Sequence, residues 1–171
     1  KTITFLLMSN LLEKKNVLKV KKFLKNIDDS FELIVLDETA RTAEDAARSL
    51  KKEVGAIVKS LFFKNEETNE FYLCLVSGDQ YISEEKLKVI TQKTIIKASA
   101  DEVKKETGFS IGGVAPVAHL SPPSRIFIDE NLKRFDKIYA AAGHPYVVFA
   151  ITFHNLCSIT KGEIQTIVKY K

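Results

Sequence analysis

The chain has 171 residues, 45% of them hydrophobic and 28% charged, which suits one cored domain and excludes a disordered chain. Its net charge of +4, from 26 Lys plus Arg against 22 Asp plus Glu, permits a polyanionic partner without demanding one, because clustering matters more than the sum. Cys74 and Cys157 make neither a disulfide framework nor a zinc-type pairing, and read as reduced core residues of a cytoplasmic protein.

At the N-terminus Phe5, Leu6, Leu7 and Met8 follow a lysine, but Ser9 and Asn10 break the run and no A-x-A pattern follows, so a signal peptide is not expected. Residues 1–171 read as a single domain; the alternative is that translation starts at Met8, the only methionine, which leaves residues 1–7 as a non-native or upstream extension. No apolar stretch approaches the roughly 20 residues of a membrane span, and no membrane partner is expected.

Leu11, Leu12, Val17, Val20 and Leu24 have helical spacing and predict a helix over 10–26, with lysines on its other face. A strand follows over 31–36, then a helix over 42–52 opened by Thr42 and Asp45. Two strands over 55–64 and 70–77 make a hairpin around 65–69. A short helix near 84–89, a strand near 94–97 and a helix over 100–106 stopped by Gly108 come next. The loop 109–124, with adjacent glycines and three prolines, is the longest irregular stretch, and such loops are usually functional. Strands are expected over 125–129, 137–142, 147–152 and 163–170, with a short helix at 152–158. Strands interleaved with helices without regular βαβ spacing predict a mixed α/β sheet or barrel.

Three segments stand out chemically. In the strand over 55–64 both faces are largely apolar, yet Lys59 lies in its middle, where an unpaired ammonium is costly to desolvate. It is either a functional group or a side chain that snorkels past a sheet edge. Gly112 and Gly113, followed by Val114, Ala115 and Pro116, let a backbone turn aim N–H groups at an anion, or simply make a turn. Gly143 and His144 close an apolar strand, where active-site groups commonly lie. His119, His144 and His154 lack metal-ligand spacing, so no metal and no other cofactor is expected; each alone reads equally as a polar loop residue. No serine stands in a G-x-S-x-G setting. Lys14, Lys15, Lys19, Lys21, Lys22 and Lys25 are either a phosphate-tracking stripe or a solvated helix face.

From Thr42 to Ile159 these segments, in this order, resemble the YbaK family of aminoacyl-tRNA deacylases, which includes the editing insertion of bacterial prolyl-tRNA synthetase and free-standing ProXp-type relatives. The likeness rests on 42–47, on the Lys59 strand at 57–63, on the G-x-x-x-P loop within 107–117 and on Ala141, Ala142, Gly143 and His144. It implies a β-barrel-like mixed sheet flanked by helices and hydrolysis of the ester of mischarged tRNA, mainly tRNA for proline carrying a small amino acid. It implies a catalytic role for Lys59 and substrate binding by Gly112, Gly113, Pro116, Gly143 and His144. His144 departs from relatives with other residues after Ala-Gly. Mischarged tRNA is the implied partner, with a synthetase beside it in some relatives. The alternatives are a non-catalytic tRNA-binding module on the same fold and a Schiff-base lysine enzyme.

Overall fold

The computed structural model describes residues 10–169, so residues 1–7, Met8 and the end of the expected last strand at Tyr170 lie outside it. Helix α1, Lys15–Ile27, buries Val17, Val20 and Leu24; Lys15, Lys21 and Lys22 are exposed, while Lys19 reaches over the Phe109 ring at 6.0 Å. Strand β1 is Leu33–Val35, shorter than the expected 31–36. Helix α2, Ala43–Leu50, starts where Thr42 Oγ1 accepts the Asp45 N–H at 3.1 Å, as its sequence predicts.

Strand β2, Val58–Asn65, and β3, Phe71–Ser77, form the expected antiparallel hairpin, pairing Lys59 with Val76 and Phe63 with Tyr72. The expected strand start at Gly55 is instead a 3-10 turn, Val54–Ala56. A side chain at Gly55 would meet Phe135 at 2.7 Å and Arg134 at 2.9 Å, so the backbone is pressed into a neighbouring segment before it can extend. Helix α3, Glu84–Thr91, and strand β4, Ile95–Lys97, precede α4, Ala100–Thr107. Ser99 and Glu102 make a reciprocal capping box on α4, and Gly108 ends it at φ +81°.

After the long loop, β5, Arg125–Asp129, runs parallel to β3 and leads into a 3-10 turn, Glu130–Arg134, that the sequence reading did not identify. Strands β6, Ile138–His144, and β7, Val147–Ile151, pair antiparallel, with an irregularity between Ala141 and His144. Helix α5, Phe153–Thr160, is capped by Thr152, and β8, Glu163–Gln165, ends the sheet. The expected strand over 163–170 is therefore shortened to three residues; Val168 makes only an isolated bridge to Ile82.

Eight strands form two sheets, ordered β1-β7-β6 and β4-β2-β3-β5-β8, flanked by five helices of the described residues. A parallel bridge from Ile57 to Tyr139 joins the sheets. The mixed α/β architecture is as expected. Its detail explains where a cavity opens. Strand β4 borders β2 only at Phe63, Lys64 and Asn65, so residues 58–61 have β3 on one side and no neighbouring strand of their own sheet on the other. Both cysteines are free; Cys74 is buried and Cys157 half-buried. Among the described residues no helix is long and apolar enough to cross a membrane.

The largest apolar cluster lies under α1 and the long loop and includes Phe109, which is fully buried. Phe109→Ala should lower stability by about 3–5 kcal/mol, the usual cost of deleting a buried phenyl ring. Urea unfolding checks this, and a midpoint equal to wild type would show that the ring is not a packing keystone of the loop.

Candidate active site

The free flank of β2 forms one wall of a cavity of about 410 Å³. Ile57 to Phe62 line that wall, Thr42 with Ala43, Glu44 and Ala46 of α2 and Tyr139, Ala141 and Val148 of the small sheet line others, and Ile111, Gly112 and Val114 close it from the loop. Lys59 and Gly112 therefore share one cavity, although they stand 53 positions apart in the chain.

Lys59 is half-buried, and its Nζ donates to the Gln80 carbonyl at 2.5 Å. The same nitrogen lies 5.1 Å from the centroid of the Tyr81 ring, which is 72% exposed and also lines the cavity. Burial lowers the pKa of the ammonium from the ordinary lysine value, while the negative charges of Glu44, Asp79 and Asp129 oppose that shift. The group is thus partly stripped of water and incompletely compensated, the condition under which it gains most from an incoming oxygen atom.

The carbonyl that holds Lys59 belongs to a tight turn after β3. A side chain at Gly78 would lie 2.2 Å from the Val54 carbonyl oxygen, so only glycine fits. Arg134 Nη2 donates to Asp79 Oδ1 at 2.7 Å and to Ser77 Oγ at 2.9 Å. The Ser77 hydroxyl lies 2.5 Å from the Gly55 carbonyl oxygen and 3.0 Å from Asp79 Oδ1, and Gln80 Nε2 donates to Asp79 at 3.2 Å. Asp129, fully buried, accepts the Ser77 N–H at 3.2 Å and both Asn131 donors. The turn is clipped from three directions.

The long loop is braced rather than free. His119 Nε2 lies 2.7 Å from the Ala115 carbonyl oxygen, and its ring stands edge-on to Phe62 and Phe109 at 5.7 and 6.2 Å. Burial lowers its pKa, which favours the neutral ring and leaves it a strut. Asn16 Nδ2 donates to the Gly108 carbonyl at 3.0 Å, tying α1 to the loop.

The glycines of the two motifs have different tasks. Gly112 faces the cavity with φ +93°, a left-handed conformation that favours glycine. Gly113 does not line the cavity: a side chain there would sit 2.8–2.9 Å from the His144 backbone, and its N–H donates to Ser110 O at 3.0 Å. The N–H groups of Gly112 and Val114 find no acceptor among the described residues. Pro116 is buried and does not line the cavity. Gly143, at φ +89°, lets the Asn16 carbonyl approach to 2.7 Å of where a side chain would begin. His144 lies behind Gly113, its Nδ1 accepting the Tyr146 N–H at 3.2 Å, and burial with Lys14 nearby lowers its pKa.

The structure thus brings Lys59 and Gly112 to one cavity, and leaves Gly113, Pro116, Gly143 and His144 off its lining, with Gly113 packed on the His144 backbone. The sequence reading missed Arg41, Glu44, Ser60, Tyr81 and Lys97 on the lining, and Asp79 and Arg134 behind Lys59. Ser60 Oγ is buried without a hydrogen-bond partner. Gly78 and Asp79 gave a sequence signal, but only that of a turn.

The hydrogen bond from Arg134 holds the Asp79 carboxyl at about 2, well below the usual carboxylate value, with burial opposing and Ser77 and Gln80 assisting. Because the folded value is depressed, this stabilisation is present above about pH 4 and is lost as pH falls through 2. Wild type should therefore exceed Asp79→Asn in urea stability at pH 7 and converge with it near pH 2. A gap that stays constant across this window would deny the carboxylate its role.

The sequence profile of the aminoacyl-tRNA editing domain matches residues 37–157. Uncharacterized protein YwhH of Bacillus subtilis is 31% identical over 128 residues, covering 75% of this chain and 80% of that one. A proline--tRNA ligase of Kosmotoga olearia is 37% identical over 94 residues, 54% of this chain but only 16% of the ligase. Among solved structures, a proposed trans-editing enzyme for prolyl tRNA synthetase superposes with a TM-score of 0.85 at 32% identity, covering 92% of this chain and 99% of that one. Hypothetical protein APE2540 gives 0.81 at 25% identity, with 88% and 99% covered. With the profile spanning most of the chain and both walls of the Lys59 cavity inside the match, this chain belongs to the aminoacyl-tRNA editing family.

Proposed function

We propose that this protein is a trans-editing deacylase that hydrolyses the ester of mischarged tRNA in the cytoplasm, its substrate being tRNA for proline loaded with a small amino acid. The observation that carries the reading is the pairing of a desolvated ammonium, Lys59, with the backbone of Gly112 across one cavity of about 410 Å³. The likeness to a proposed trans-editing enzyme for prolyl tRNA synthetase supports the tRNA identity, and so do the matching stretches of proline ligases. A synthetase working beside the editor is consistent with that kinship.

An aminoacyl ester is already activated, so its hydrolysis needs positioning and charge stabilisation more than a covalent nucleophile. In the proposed reaction Lys59 binds the ester carbonyl or an adjacent phosphate oxygen and adds positive charge as the tetrahedral intermediate forms. The unbonded N–H groups of Gly112 and Val114 receive the oxyanion. Water attacks the carbonyl carbon, and the free ribose hydroxyl beside the ester relays a proton, accepting the water's and passing its own to the departing ribose oxygen. The C–O bond to the ribose then breaks, releasing the amino acid and the tRNA. Ala43, Ala46, Ile57 and Val148 offer an apolar recess for a small side chain.

The test is a panel of proline tRNAs charged with proline, alanine, cysteine, serine or 2-aminobutyrate, with chelator present. Multiple-turnover release from one misacylated member is expected. Lys59→Ala should reduce that rate on the order of a hundredfold or more, the usual loss for one electrostatic donor, while leaving the thermal transition in place. Wild-type turnover in Lys59→Ala would end the assignment of Lys59. Tight tRNA binding without turnover in wild type would identify a binding module instead.

A further inference from the structure

The charge pattern of the cavity lining holds one feature that ester hydrolysis alone leaves without a task. Three cationic residues, Arg41, Lys59 and Lys97, line the cavity together with a single carboxylate, Glu44. As a first-turn acid Glu44 suits the helix dipole, but the cap itself does not use its carboxylate. Thr42 supplies the N-cap oxygen to the Asp45 N–H, and Asp45 pairs with Arg48 at 3.2 Å. Glu44 makes no hydrogen bond or ion pair with a described residue, and it is exposed. Its negative charge nevertheless reaches Lys59, where it opposes the effect of burial on the ammonium. A negative group in a site built for phosphate and oxyanion oxygens repels both, so its presence there points to a positive group on the ligand.

An α-aminoacyl ester carries one such group. Its α-ammonium is attached to the carbon next to the reacting carbonyl, so it enters the cavity wherever the carbonyl does. We propose that Glu44 is the subsite for the substrate's α-ammonium, with Lys59 and the Gly112 wall taking the ester oxygen; this rests on the aminoacyl-ester reading above. A charged pair on α2 and a donor pair across the cavity together fix the Cα–C(=O) axis, leaving the side chain to point at Ala43, Ala46 and Ile57. The same carboxylate makes the site a reader of free amines: an ester whose nitrogen is acylated carries no charge there and leaves Glu44 unpaired.

Two non-hydrolysable adenosine 3′-alanylamides, one with a free amine and one N-acetylated, test this by titration calorimetry. Wild type should bind the free amine about tenfold or more tightly than the acetylated analogue, the scale of a charge-assisted hydrogen bond. Glu44→Gln should reduce that preference to within about twofold by weakening only the free amine. Glu44→Asp, which keeps the charge, should retain part of it, so a general loss of fold is not mistaken for loss of the subsite. Equal binding of both analogues by wild type, or an undiminished preference in Glu44→Gln, overturns the proposal. Ester hydrolysis is followed separately. Amine preference without turnover removes the catalytic reading and keeps this one, and turnover without amine preference does the reverse.

Discussion

An ammonium group half-withdrawn from water organises this fold's working end. Lys59 sits on β2, where the strand has lost its neighbour β4, and its nitrogen reaches a backbone carbonyl rather than a carboxylate. That choice has a consequence. A direct ion pair would satisfy the charge and leave little for a ligand, whereas one carbonyl and three carboxylates acting through space stabilise it only in part. The position of the Gln80 carbonyl then sets where the ammonium sits. It is set by a turn that only glycine can make at Gly78, locked by Asp79, Ser77 and Arg134. Arg134 comes from the 3-10 turn after β5, and Gly55 from the one before β2, so elements distant in sequence converge to orient one acceptor.

The opposite wall follows a different logic. Gly113 and Gly143 are required because other backbone comes too close for a side chain, the first against His144 and the second against Asn16. His119 braces the same loop from within, wedged between Phe62 and Phe109. A loop of sixteen residues held by packing and a few polar ties presents the Gly112 and Val114 N–H groups in fixed directions, and preorganised donors of this kind lose no energy to reorientation when charge develops. In the proposed reaction the rigidity of the loop would thus serve the chemistry.

Much of the architecture was legible because it follows from local pattern. The capping of α2 and α4, the Gly108 stop and the β2–β3 hairpin all rest on side chains within a few residues of the backbone they control. Lys59 stood out for a reason that is also local: a charge among alternating apolar neighbours. What escaped notice depends on tertiary contact. Gly55 looked like a strand residue until Phe135 and Arg134 were packed against it, and β8 lost its second half because only the bridge between Val168 and Ile82 carries pairing beyond it. Glu44 and Asp79 carried ordinary local explanations, a first-turn acid and a turn residue, which hid their relation to Lys59. His144 shows the reverse case. Its strand-end position suggested a place at the reacting centre, whereas its backbone lies against Gly113 and the residue is not on the cavity lining.

The character of the walls bears on how an editor of this design would choose among amino acids. Alanine and isoleucine side chains dominate the recess beside α2, and an apolar pocket gains only about 1–3 kcal/mol per added methylene. Attraction of that size cannot by itself separate alanine from serine or cysteine. Polar anchors common to every amino acid, such as an ester carbonyl and an α-amine, add affinity without adding discrimination, since they bind all candidates alike. Selectivity in the proposed reaction therefore has to come from exclusion. With the Cα–carbonyl axis held by charge, a side chain too large for the recess must displace either the loop wall or α2. Both are fixed, one by His119 and Phe109 and the other by the burial of Ala43, Ala46 and Ala47. The packing that gives the fold its stability would then also set the upper size limit of what it hydrolyses.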